Sequence, residues 1–230
     1  MAPMPQMSFD PVADTTRRAE IVGILRRAIL CGQLQPGQKI NELRIATQMQ
    51  VSRAPLREAV RELVEAGLLS SIPYAGTYVI SLSAKDVEDA YSLHHALEDF
   101  ALERVWPLRD ARFREELDRR HASVKEASLA SDLTRQIEAA LSLHGLIYEW
   151  ADNALLLDTW VRLASRLQMI FALHQQARAE PVPGADLHED YVRLLKGSDL
   201  PAAKAHAHEH IDWNIEELLA YARGLEHKKA

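Results

Sequence analysis

The sequence predicts a mainly α protein in two parts: three short helices closed by a small β-hairpin, then an all-α helical bundle of about six helices. Three observations carry this expectation. Apolar residues recur at helical spacing through most of the 230 residues. Extended runs bounded by turn residues occur in one place, near residues 68–81. Proline, which cannot sit inside a helix without cost, falls at the edges of the periodic runs.

Residues 1–14, rich in Pro and Met and without periodicity, read as a flexible tail. Ile21, Ile24, Leu25, Ala28 and Ile29 then form one apolar stripe, and Gly32 stops that helix. Pro36-Gly37 predicts a type II turn, and a short helix carrying Ile45, Ala46 and Met49 follows. Ser52 is a suitable N-cap for a third helix, with Pro55 in its first turn and Leu56, Val60, Leu63 and Val64 as its apolar stripe. Gly67 ends it. The segments 68–72 and 77–81 then flank a hairpin loop at Pro73-Tyr74-Ala75-Gly76. Beyond Ser83 six helices are expected, over 84–105, 110–130, 133–151, 154–179, 185–197 and 199–222. The expected division is a 1–14 tail, a 15–82 unit and an 83–226 unit.

Composition narrows the function classes. With 47% hydrophobic and 26% charged residues, the chain suits a soluble globular protein. The lone Cys31 excludes an internal disulfide and favours a reducing, cytoplasmic location. No apolar run approaches the roughly 20 residues of a membrane span, and no signal-peptide pattern opens the sequence. The net charge of −6 argues, at first sight, against a nucleic-acid partner. It is an average, however. Residues 1–82 hold nine Lys+Arg and seven Asp+Glu, a net of +2, and residues 83–230 carry −8 with all ten His.

The order helix, turn, helix, break, helix, hairpin is that of a winged helix-turn-helix, whose recognition helix enters the major groove. Arg53, Arg57 and Arg61 recur every fourth residue, so they line one edge of the third helix. A guanidinium can bond guanine O6 and N7 together, or a phosphate. Ser52 and the open N–H groups at that helix start suit a phosphate, and Gly76 beside Thr77 allows close approach of the hairpin. On an isolated helix these arginines would read as a solvated face paired with Glu58, Glu62 and Glu65. The surrounding elements favour DNA.

Three segments then resemble one family in order. Gly32-Gln33-Leu34-Gln35-Pro36-Gly37-Gln38-Lys39-Ile40-Asn41-Glu42 resembles the GntR pattern G-x-L-x-P-G-x-x-L-x-E. Val51-Ser52-Arg53-Ala54-Pro55-Leu56-Arg57-Glu58-Ala59-Val60 is similar to its V-S-R-T-P-V-R-E-A-L, and Glu65-Ala66-Gly67-Leu68 to E-x-G-L. The resemblance implies a transcription regulator, with repression as the expected mode, that binds a pseudo-palindromic operator as a homodimer. It assigns base recognition to Arg53 and Arg57 and places Gly76 in the wing. Where members often carry Arg two places after the Asn41 position, this chain has Leu43 and then Arg44, which is the candidate to take over that contact.

The second part resembles the FadR-type (FCD) ligand-binding domain through Tyr91 and Glu98, His144 with Asn153, and His188 with His210. That resemblance implies a divalent metal such as zinc or nickel on His144, His188 and His210, and a small carboxylate effector. Imidazoles from three helices with open positions left would suit such a role. Two departures stand out. Ala140 occupies the place of the family's ligating Asp, one turn before His144, so water or effector would have to complete the shell. His94 stands where an Arg often pairs with the effector, and Arg162 and Arg166 are the candidate replacements. Of the run His206 to His210, His208 reads as surface, while His206 shares a face with His210.

The expectation is therefore a non-enzymatic, cytoplasmic DNA-binding regulator with operator DNA, an organic-acid effector and a second copy as partners, and no membrane. The alternatives are a metal-dependent enzyme built on His144, His188 and His210, or a helical interaction module without DNA binding. No nucleophile motif or H-E-x-x-H helix supports the enzyme.

Overall fold

In the computed structural model, residues 15–130, 132–177, 188–213 and 215–227 are described; the tail at 1–14, the turn at 181–184 and the helix start at 185 lie outside them. The first unit comprises α1 (Thr15–Leu30), α2 (Glu42–Met49), α3 (Arg53–Glu65), β1 (Leu69–Ile72) and β2 (Gly76–Val79). Ile21, Val22, Leu25, Ile29 and Leu30 of α1 are buried, whereas Ile24 of the predicted stripe is half exposed. The Pro36-Gly37 turn forms, with Gly37 at φ 79° and Gln38 N–H donating to the Gln35 carbonyl at 2.9 Å. Asn41 caps α2 by accepting from Arg44 N–H at 3.0 Å. Gly67, at φ 72°, closes α3, where Leu68 N–H reaches the Leu63 carbonyl at 2.9 Å and Gly67 N–H the Val64 carbonyl at 3.0 Å. Strands β1 and β2 pair antiparallel, from Leu69 opposite Val79 to Ile72 opposite Gly76.

The second unit opens with α4 (Ala84–Val105), started by a reciprocal capping box between Ser83 and Asp86. A single 3-10 turn at Trp106–Leu108 leads to α5 (Ala111–Ser128), α6 (Leu133–Glu149), α7 (Ala154–Ala177), α8 (Glu189–Lys196), α9 (Leu200–Asp212) and α10 (Ile215–His227). Helix α4 is central and packs against α6, α7, α9 and α10. The predicted helix at 199–222 is interrupted at Trp213, whose ψ of 116° leaves the helical range. No Gly or Pro marks that break, and the apolar spacing of Ile211, Leu218, Leu219 and Ala222, all buried, continues across it.

The two units touch directly. Helix α1 packs on α3 within the first unit and on α6 and α7 of the second. Arg26 on α1 donates to the buried Gln168 side chain of α7 at 3.1 Å. No helix among the described residues is long and apolar enough to cross a membrane.

Candidate functional site

The amphipathic pattern of α3 buries Pro55, Leu56, Ala59, Val60 and Leu63, which turns the opposite edge outward. Arg53, Arg57 and Arg61 stand exposed on that edge, and Arg44 is exposed on α2. Arg57 meets Glu42 at the start of α2, Nε to Oε2 3.3 Å, with its side chain still 60% exposed. Such a pair is weak and readily exchanged for a phosphate or base. Ser52 occupies the N-cap position, yet its hydroxyl makes no cap hydrogen bond. The first-turn N–H groups of α3 are thereby left to another acceptor. Gly76 has φ 119°, a conformation that side chains rarely adopt, and with Thr77 it lies half-buried on β2.

The second site is built around α4. Helix α6 contributes His144, the α8 N-cap position His188, and α9 His210. One ligand atom from each ring lies within 4.8 Å of the other two. The ring centroids are 5.3 Å apart for His144 and His188, 5.1 Å for His144 and His210, and 4.7 Å for His188 and His210. Burial holds the His188 ring far below its ordinary pKa and His210 down to about 3, so both are neutral imidazoles with a lone pair to offer. Together with a nitrogen of His144 at this spacing, they can hold a divalent transition metal.

Beside the ring of His144 lies Glu98, which is completely buried. Its carboxylate accepts the Tyr191 hydroxyl at 2.6 Å and the Tyr148 hydroxyl at 2.7 Å. The imidazoles of His94 and His144 stand 3.6 and 3.9 Å from it. Burial alone would raise the pKa of Glu98, but its histidine neighbours outweigh burial and hold the group ionised, far below the carboxylate range. Burial and this anion together push both tyrosine hydroxyls well up, so they remain donors. His144 Nδ1 faces the carboxylate, buried and without a hydrogen bond among the described residues. At 3.9 Å the carboxylate stands beside the His144 ring without a hydrogen bond to it.

His94 is buried against Trp160, ring centroids 5.5 Å apart, and Trp160 in turn stacks on Tyr148 at 4.2 Å. Gly145 makes room for that stack, since a Cβ there would lie 3.0 Å from Trp160 Nε1. Arg162 and Arg166 are the anion partners expected from the sequence. Both stand on the exposed side of α7, Arg162 paired with Asp158 at 3.1 Å and Arg166 with Asp86 at 3.4 Å. On the same helix Trp160, Leu163 and Leu167 are buried, and Trp160 is the one whose ring meets His94. His208 is at the surface, against Asp99 at 3.0 Å. The Nε2 of His206 is buried, and its ring stacks 6.2 Å from His210.

Tyr148, Trp160 and Tyr191 escaped the sequence reading. Spacing held a signal for the tyrosines: Tyr148 follows His144 by four residues and Tyr191 follows His188 by three. Trp160 gave none.

Comparison with known proteins adds the following. Residues 17–79 match the family model described as bacterial regulatory proteins, gntR family, and residues 89–212 match the FCD domain. The chain is 30% identical over 199 residues to the "Probable D-xylose utilization operon transcriptional repressor" of Paenarthrobacter nicotinovorans, covering 85% of each chain. It is 23% identical to the gluconate operon transcriptional repressor of Bacillus licheniformis, covering 85% of this chain and 86% of that one. Among solved structures, Escherichia coli McbR/YncC superimposes with a TM-score of 0.65 at 20% identity, over 87% of this chain and 96% of that one. The last likeness concerns the fold alone.

Proposed function

Because the chain belongs to the GntR family of bacterial regulatory proteins and carries an FCD domain, we propose that it binds a pseudo-palindromic operator as a homodimer and is controlled by a small carboxylate. It is a DNA-binding transcription regulator and not an enzyme. The dimer follows from DNA geometry, since two recognition helices must reach major grooves about 34 Å apart on one face of the duplex. Arg53 and Arg57 read bases, while Arg44, Ser52, Arg61 and the wing at Gly76 and Thr77 hold the backbone. Repression is the mode, in keeping with the relatives named as repressors of D-xylose and gluconate operons, and the cytoplasm is its setting. The gluconate name supports a sugar acid or related organic acid as effector.

The observation that carries the sensor reading is the triangle of imidazoles from three helices beside a buried, ionised carboxylate. The donor set fits a divalent ion such as zinc or nickel, held by His144, His188 and His210. Bound there, it supplies a Lewis-acidic centre with positions open to carboxylate oxygens. Tyr148 and Tyr191 hold Glu98 beside the His144 ring, and His94 offers a hydrogen bond at the side of the site. Helix α7 carries Trp160 at this site and Gln168 at the reader, so ligand binding reaches α1 through one rigid element. A coupling of about 1–3 kcal/mol is enough to change operator occupancy several-fold.

A thermal-shift screen of organic and sugar acids, with zinc or nickel and with a chelator, tests this reading. The expected result is stabilisation by one acid that disappears with chelator and in His210→Ala. Stabilisation indifferent to chelator would remove the metal, and no response to any acid would remove the carboxylate effector.

A further inference from the structure

We propose that Lys39 is a DNA-phosphate contact of the wing, positioned by Tyr78 and by the missing side chain of Gly76. Residues 37–40 run as an added strand along β2. Gly37 N–H donates to the Val79 carbonyl at 2.9 Å, Val79 N–H to Gln38 at 2.9 Å, and Ile40 N–H to Thr77 at 2.8 Å, with Lys39 bridged to Tyr78. Side chains alternate along such a run, and Ile40 is buried, so Lys39 points outward.

Its stem crosses the wing. Lys39 Nζ lies 5.8 Å from the Tyr78 ring centroid, a cation–π distance, and Tyr78 is itself held by its hydroxyl donating to Ala75 at 3.1 Å. Lys39 Cε comes within 2.8 Å of the place a Cβ on residue 76 would occupy. Gly76 therefore clears the path of this side chain as well as lending the hairpin its backbone geometry. The segment leads within three residues to Glu42, which meets Arg57 of α3. The ammonium thus stands on the wing, at the start of the short segment that leads to α2 and its contact with the recognition helix. A compact charge with three donors suits a phosphate oxygen, which reports position and not sequence.

This rests on the assignment of α3 and the wing as the DNA-reading face, and the experiment separates the two. The full chain selects duplexes from a randomised pool, and its affinity for a selected duplex is followed by fluorescence anisotropy between 50 and 300 mM KCl. Lys39→Met keeps the stem on Tyr78 and removes the charge. It should reduce the slope of log K against log salt by about 0.9 per protomer, equivalent to about an eightfold loss per protomer at 0.1 M salt. The loss should be equal on selected and unrelated duplexes, with thermal unfolding unchanged. Lys39→Arg should retain the slope. Arg57→Ala, by contrast, should relax the sequence preference. An unchanged slope in Lys39→Met, alongside weakened binding by Arg57→Ala, overturns the proposal and leaves the reading face standing. A wild-type chain that selects no duplex overturns both.

Discussion

Replacing Tyr191 by Phe removes one oxygen atom from the interior and leaves the ring packed against His144, 5.0 Å away. The oxygen is the donor of a 2.6 Å hydrogen bond to Glu98, and neither residue has any exposed surface. Water therefore has no ready route to the vacated bond, and the carboxylate keeps only Tyr148 as a hydroxyl donor. A hydrogen bond to a charged group contributes about 1.5–3 kcal/mol. The expected loss is about 2 kcal/mol, measured by urea unfolding in the presence of chelator. For a chain of this size that is a fall of about 4–8 °C in Tm. The pH dependence follows from the direction of the Glu98 shift. Its folded pKa lies below the unfolded value, so its contribution is present above the carboxylate range and is lost only as pH falls below it. The cost of Tyr191→Phe should therefore be constant between pH 6 and 8. A change within about 0.5 kcal/mol, the range of an ordinary surface substitution, would refute the ionised, hydroxyl-held carboxylate.

Three further outcomes are expected. Burial depresses His188 and His210, so the unfolded chain takes up their protons first; stability is full above about pH 6.5 and declines below it by up to about 1.4 kcal/mol per pH unit for each ring. Equal urea midpoints at pH 7.5 and 5.5, with chelator, would contradict their burial as neutral imidazoles. Arg57→Ala should leave unfolding within about 1 kcal/mol of wild type, because its pair with Glu42 is exposed, yet cut affinity for a selected duplex about 5- to 150-fold. Gly76→Ala, at φ 119°, should cost about 1–2 kcal/mol in chemical denaturation and displace Lys39, seen as weaker binding to any duplex.

The reader was legible in the sequence because its signals are local. A type II turn needs Pro36-Gly37, a closed helix needs Gly67, and a four-residue arginine spacing needs only a helix to share an edge. The three histidines were legible through a resemblance, and the structure brings them within ligand distance. The exposure of Arg162 and Arg166 was not legible, because position on a helix says nothing of which face its neighbours cover. The break at Trp213 was invisible because the chain leaves helical geometry there without Gly or Pro.

By itself the sequence determined the order of elements in the reader and the division of charge between a +2 reader and a −8 remainder. These depend on backbone propensity and on periodicity within one segment. Only the tertiary structure decided that Glu98 is the buried anion of the sensor, with hydroxyls from α6 and α8 on its two oxygens. It also decided that Lys39 lies across the wing and that Arg26 reaches Gln168. The reason is physical: a buried charge is tolerable only where separate helices deliver donors to it, and chain order does not encode that convergence.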